Sequence, residues 1–318
     1  MSAETASTSM IDPVISTAGL TMDYGRVVAL HELSLEIGGG VTGLVGANGA
    51  GKSTLIKILL GLQEPSAGSA RVLGHDVATA SDEIRRVVGY MPEHDCLPPD
   101  VNASEFVVHL ARMSGLPAAA ARERAADILR LVGLDEERYR LLGGYSTGMK
   151  QRAKLAQALV HDPSLVFLDE PTNGLDPASR LEMLTLVRRI GTDFGIPVLV
   201  TSHLLGELEK ISDYVVILDG GHLLRSSATS QFLDATGALL VEVLGGDVER
   251  DQLGNALAEA GLTCRPRGAM VTIDPAPDGL DVHRLVRDTV ADLGLALVRV
   301  QADQGHLEDV FTEGAHHV

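Results

Sequence analysis

Tryptophan is absent from this chain, and aromatic side chains make up only 3% of its 318 residues. Any core must therefore be built from Leu, Val, Ile and Ala. Cysteine is nearly absent as well. Cys96 and Cys264 stand far apart, which leaves no disulfide framework and no zinc spacing and suits a reducing cytoplasm. Positive charge is scarce: 26 Lys and Arg face 43 Asp and Glu, a net charge of −17. That balance counts against nucleic acid as a partner, because neutralising a phosphate backbone needs a basic face. A nucleotide is not excluded, since it needs only a few local cations and backbone amides. No apolar run reaches ~18 residues, so the chain is not expected to cross a membrane by itself. Residues 1–12 are rich in Ser, Thr and Ala and lack the basic-then-apolar order of a signal peptide. They read as a disordered tail.

What is present is an ordinary globular composition, 45% hydrophobic and 22% charged. The length favours about two domains at ~150 residues each. From residue 14 to about 226, strand-like and helix-like segments alternate. "VTGLVG", "SLVFLDE", "IPVLVTSH" and "YVVILDG" are short apolar runs of the kind buried strands show. Helical periods fall on Ala125, Ile128, Leu129 and Val132 and again after Lys52. This alternation predicts an α/β sheet covered by helices. Near Ala228 the pattern changes to strand, helix, strand, helix, strand over ~90 residues, enough for a small α+β domain for which a ferredoxin-like arrangement fits. The expected division is a tail over 1–12, a first domain over 13–228 and an accessory domain over 229–318.

The most specific local signal is "GANGAGKST", made of Gly46, Ala47, Asn48, Gly49, Ala50, Gly51, Lys52, Ser53 and Thr54. It follows one apolar strand, precedes an apolar helix and fits G-x-x-x-x-G-K-[ST]. Glycines let backbone amides wrap a phosphate, and the helix start behind them adds partial positive charge. Lys52 is placed for the β- and γ-phosphates of ATP, and the Ser53 hydroxyl for Mg2+. A magnesium site also needs a carboxylate, and "LVFLDEP" supplies Asp169 at the end of a second apolar strand, acting directly or through water. The adjacent Glu170 is the candidate general base for an attacking water. "GGYSTGMKQR" then offers another helix start, with Ser146 as its cap and Gly148 allowing close approach. Ser146 reads either as a plain cap or as half of a phosphate site completed by another subunit.

In this order the segments resemble the ATP-binding cassette family of transport ATPases. The resemblance covers residues 14 to about 226. It implies a P-loop NTPase cassette with a RecA-like core, a helical subdomain inserted at about 96–158, and Mg2+-dependent ATP hydrolysis. It further implies pairing with a second copy or a homologous ATPase subunit, and separate integral membrane permease subunits. The chain would then sit at the cytoplasmic face of the membrane as a peripheral protein. On the family's pattern, Tyr24 stacks on adenine, and Ser146, Thr147, Gly148 and Met149 form the signature that meets ATP on the other subunit. Asp176 in "GLDP" aligns the two subunits, and His203 in "VTSH" is the switch that senses the γ-phosphate.

There are departures. Thr147 and Met149 replace a Gly and a Gln of the usual signature, and Glu93 in "GYMPE" stands where many members carry Gln. A carboxylate there still reaches Mg2+ or water, in the loop that communicates with the membrane partner. The inserted subdomain would begin at "CLPPDVNASEF", with Asn102 or Ser104 starting a helix. "HLEDVF", residues 306–311, resembles the ending of drug-, polyketide- or sodium-exporter ATPase subunits. Two other readings remain: a soluble cassette ATPase acting on ribosomes or DNA, and a regulator that binds ATP without turnover. The first lacks the expected second cassette, basic linker or zinc module. The second is disfavoured by the retention of Lys52, Asp169, Glu170 and His203.

Overall fold

In the computed structural model of the chain, residues 13–229, 238–274 and 281–302 are described. The chain separates into two compact units, Met1–Thr229 and Ser230–Val318. The tail at 1–12 and the "HLEDVF" segment lie outside the described residues.

The first unit holds two sheets. The antiparallel one has the order β2-β1-β4-β5, with β1 at Ile15–Asp23, β2 at Val28–Ile37, β4 at Ala67–Val72 and β5 at His75–Asp76. Buried and exposed residues alternate along the second half of β2, as expected for a sheet with one wet face. The second sheet has the order β10-β9-β3-β8-β7-β6. Its strands are β3 (Val41–Val45), β6 (Val88–Met91), β7 (Leu165–Leu168), β8 (Val198–Ser202), β9 (Tyr214–Asp219) and β10 (His222–Ala228). All are parallel except β10, which pairs antiparallel with β9 at the edge. Every residue of β3, β7 and β8 is buried, which is why these strands read as unbroken apolar runs.

Helix α1 (Lys52–Leu59) buries Leu55, Ile56, Ile58 and Leu59 in one core shared by both sheets, together with Leu20, Leu30, Phe167 and Leu218. The start of α1 is therefore fixed by a large apolar contact, each fully buried side chain contributing roughly 1.5–3 kcal/mol. Helix α2 (Ser81–Val87) leads into β6. Then come α3 (Ala103–Met113), α4 (Ala118–Leu131) and α5 (Thr147–Leu159), with short 3-10 turns at Glu137–Tyr139 and Leu142–Gly144. Between the two candidates for the start of α3 the structure selects Asn102. Its side chain accepts from the Glu105 N–H, and Glu105 answers at the Asn102 N–H, a complete capping box. Helix α6 (Pro177–Thr192) begins at Asp176 with proline at its first position, and α7 (Leu205–Ile211) follows β8.

The second unit runs β11 (Leu239–Val243), α8 (Asp247–Glu259), β12 (Cys264–Arg267), β13 (Met270–Ile273), α9 (Val282–Asp292) and β14 (Leu297–Ala302). Its antiparallel sheet has the order β12-β13-β11-β14. Val241, Leu253, Leu257, Val271, Ile273 and Val286 form its core. The sequence pattern misses β12. Its residues, Cys-Arg-Pro-Arg, carry no apolar alternation, and Pro266 is tolerated because β12 is an edge strand.

Candidate nucleotide site

Four neighbouring parallel strands end on the same side of the sheet. After β3 comes the glycine-rich loop, after β8 His203, after β7 Asp169 and Glu170, and after β6 Glu93. The pairings Val45↔Ser202, Leu168↔Val200 and Met91↔Leu168 keep these ends level. In open α/β sheets this edge is where ligands bind.

A cavity of about 460 Å³ opens there, lined by residues 47–54 together with Tyr24, Val27, Ala29, Glu93 and Glu170. Two of the loop's glycines are required by space. A Cβ at Gly46 would lie 2.5 Å from the Leu218 carbonyl oxygen and 2.7 Å from the Ala50 Cβ. Gly51 has φ +98°, and its Cβ would lie 2.5 Å from the Ala29 carbonyl oxygen. Gly51 is the N-cap of α1 and offers no side chain, so the first N–H groups of α1 are left for an anion.

Lys52 is buried, and its Nζ donates to the carbonyls of Gly46 (2.6 Å) and Ala47 (3.3 Å). It also lies 3.6 Å from Glu170 Oε1. Glu170 takes a left-handed backbone, φ +50°, uncommon for a residue with a side chain. That conformation is held by its N–H, which donates to Thr201 Oγ1 at 2.8 Å, and Thr201 in turn donates to Asp169 Oδ1 at 2.8 Å. The other Glu170 oxygen, Oε2, lies 2.9 Å from His203 Nδ1. His203 does not line the cavity and reaches it through Glu170.

Asp169 is buried, and burial pushes its carboxyl above the ordinary carboxylate value. Hydrogen bonds from Thr201 and Ser53 oppose that rise, while the charges of Glu93 and Glu170 add to it. Glu93 Oε1 accepts weakly from Asn173 Nδ2 at 3.4 Å. Tyr24 is half exposed, with its hydroxyl donating to Gln63 Oε1 at 2.9 Å.

Residues 146–149 do not line this cavity. Ser146 caps α5, its Oγ accepting from the Met149 N–H at 3.3 Å, and is exposed with Thr147. A Cβ at Gly148 would meet nothing closer than 3.6 Å, so packing within this chain does not demand that glycine. Asp176 is exposed and accepts from the N–H groups of Ala178 and Ser179, both at 3.1 Å, and from the Ser179 hydroxyl. The Ser179 contacts hold its carboxyl below the ordinary value.

Sequence reasoning missed Thr201, which ties the two acidic residues together, and Lys154, whose ammonium is buried under the residue 92–94 loop. For Thr201 the signal was its place at the end of β8, one residue before Ser202. For Lys154 it was a charge on the inward period of α5. Among the described residues, no group of three or more His, Cys, Asp and Glu is gathered to hold a metal, and the neighbouring Glu93, His94, Asp95 and Cys96 form no such cluster.

A family profile described as ABC transporter matches residues 30–173. The daunorubicin/doxorubicin resistance ATP-binding protein DrrA of Streptomyces peucetius is 35% identical over 305 residues, covering 93% of this chain and 91% of that protein. The bacitracin transport ATP-binding protein BcrA of Bacillus licheniformis is 37% identical over 213 residues, covering 67% of this chain and 69% of that protein. Among solved structures, an ATP binding subunit of an ABC transporter is similar at 29% identity and a TM-score of 0.61, over 70% of this chain and 92% of that one.

Proposed function

The chain belongs to the ATP-binding subunits of the ABC transporter family, and from that premise we propose that it hydrolyses ATP to drive export through separate membrane permease subunits. One observation carries the reading: four adjacent strand ends deliver a phosphate loop, a buried Asp–Glu pair, a histidine and Glu93 to one edge of the sheet, where the loop, Glu93 and Glu170 line a cavity. The resistance and transport named for its relatives support the direction of export.

In this reading the backbone of residues 46–54 wraps the phosphates, and Tyr24 stacks on the adenine. The Lys52 ammonium leaves the Gly46 and Ala47 carbonyls for the β- and γ-phosphates. Mg2+ fits the oxygen donors offered here. The Ser53 hydroxyl would hold it with the Asp169 and Glu93 carboxylates. When bound, Mg2+ neutralises charge on the phosphate oxygens. Glu170 takes the proton of the attacking water. Its strained backbone aims the carboxylate, and His203 orients it from the far side.

Ser146, Thr147, Gly148 and Met149 contact the γ-phosphate held by a second copy or a homologous subunit. The exposure of Ser146 and Thr147, and a Gly148 not required internally, support that role. Asp176 at the exposed start of α6 aligns the pair. ATP binding favours the closed pair and hydrolysis releases it, so the work comes from differential affinity for two states. The cassette spans 13–228 with the helical subdomain at about 96–158. The strand–helix–strand–strand–helix–strand order of the second unit supports a ferredoxin-like accessory domain at 229–318.

Among the described residues no helix is long and apolar enough to cross a membrane. We place the chain peripherally at the cytoplasmic membrane face, held there by permease subunits. The test is co-purification from native cells in mild detergent, with a hydrolysis-blocked variant stabilised by Mg·ATP. A polytopic membrane protein in the complex is the expected result. Ribosomes or DNA-repair proteins in its place would refute the transporter role.

A further inference from the structure

Helix α5 starts at the Ser146 cap, and one of its faces is bonded to the segment that carries Glu93. Lys150 Nζ pairs with Asp95 Oδ2 at 2.7 Å, and the Cys96 thiol donates to Gln157 Oε1 at 3.7 Å. Between them Lys154, only 3% exposed, donates to three successive carbonyls: Pro92 at 2.7 Å, Glu93 at 2.8 Å and His94 at 3.4 Å. An ammonium has three donors, and here three acceptors surround it. Among the described residues no carboxylate forms an ion pair with Lys154. A buried cation is tolerated only when such hydrogen bonds replace water, and bonds from a charged donor are the stronger kind. Three consecutive carbonyls turned toward one point fix the path of the loop. Because the Glu93 carbonyl is held against α5 while its side chain lines the nucleotide cavity, the clamp determines where that carboxylate stands.

We propose that Lys154 is a positioning residue for ATP hydrolysis: it binds the 92–94 backbone to α5, so that Glu93 in one nucleotide site and Ser146, facing the other, move as one body. This rests on the assignment of Glu93 and Ser146 to nucleotide sites. A cavity of about 330 Å³ lies beside the clamp, lined in part by Glu93, Asp95, Thr147, Lys150 and Lys154. Other bonds on this face are weaker or more exposed, since Lys150 and Asp95 are partly solvated and the thiol bond is long.

The test uses the full chain with Lys154→Met, which keeps length and volume but has no donors. Steady-state ATP hydrolysis should show kcat lowered roughly tenfold to a hundredfold, the scale of a misplaced group near the chemistry, with KM little changed. Deuterium uptake in peptides spanning residues 91–97 should rise while peptides from α1 stay as protected as before. Lys154→Arg, which keeps charge and donors, should recover most of the loss. Lys154→Gln keeps two donors and should fall between the two, and it carries the test if the methionine variant does not fold. Wild-type kcat in Lys154→Met overturns the proposal, as does a lowered kcat with unchanged uptake at 91–97. Glu93→Ala separates the two levels. If it leaves hydrolysis unchanged, the assignment of Glu93 fails and takes the proposal with it. If it lowers kcat while Lys154→Met does not, the clamp alone is refuted.

Discussion

Replacing Glu170 with Gln tests the chemistry with little disturbance to the fold. Gln has the same shape, so it can keep the contact that Oε2 makes with His203 Nδ1 at 2.9 Å and the backbone bond to Thr201 at 2.8 Å. What it cannot do is accept a proton from water. A positioned general base supplies about 10²–10⁴ in rate. At 1.36 kcal/mol per factor of ten, that is roughly 2.7–5.4 kcal/mol of barrier. Ground-state binding should not suffer, because removing the carboxylate 3.6 Å from Lys52 Nζ frees that ammonium and takes a negative charge away from the phosphates. The expected result is phosphate release slowed by those two to four decades, ATP affinity equal to or tighter than wild type, and a dimer that accumulates with Mg·ATP in size-exclusion chromatography. Phosphate release within about threefold of wild type, under ~0.7 kcal/mol, would refute Glu170 as the base.

Gly46→Ala should abolish ATP binding without unfolding the chain, because the new methyl meets the Leu218 carbonyl at 2.5 Å and can only displace the phosphate loop. Gly39→Ala, with nothing within 4 Å, is the control, and equal affinity in the two variants would contradict the steric reading. Phe167→Ala empties a fully buried position in β7, costs about 3–5 kcal/mol and lowers the unfolding temperature on the order of 10 °C. A shift of only a degree or two in calorimetry would show that the core there is not tightly packed. Burial holds the His161 ring below its ordinary value of 6.5 despite the contact of its Nε2 with the Val88 carbonyl. The unfolded chain therefore takes the proton first, and this histidine's share of stability is complete above 6.5 and lost as the pH falls below it. Denaturation midpoints should drop on acidification, and His161→Gln should flatten that drop; an identical slope in the variant would refute the assignment.

Much of the nucleotide site can be read from local pattern. Gly46, Gly51, Lys52 and Ser53 stand at the spacing of a phosphate-binding loop, and the runs before them and before Asp169 are apolar because those strands are covered on both faces. Capping is equally local, so Ser146 reads correctly as a helix start, whereas the capping role of Asp176 emerges only from the structure. Asn102 and Ser104 could not be separated from sequence, because both precede an apolar period and only the reciprocal bond with Glu105 distinguishes them. Strand β12 carried no signal at all, since a polar edge strand is held by its backbone pairing with β13.

By itself, then, the sequence determined which segment carries the candidate phosphate loop, which strands are buried and where α1 and α5 begin, because each depends on residues within a turn or two of one another. Tertiary structure alone decided that β3, β8, β7 and β6 lie side by side and so bring Lys52, His203, Glu170 and Glu93 to one edge. It also decided that Glu170 takes a left-handed backbone held by Thr201, and that Lys154 ends under the carbonyls of residues 92–94. The physical reason is range. Periodicity and capping are set by neighbours in the chain, whereas strand order and the partner of a buried ammonium are set by contacts that reach from 31 residues (Glu170 to Thr201) to 157 (Val45 to Ser202) along the chain.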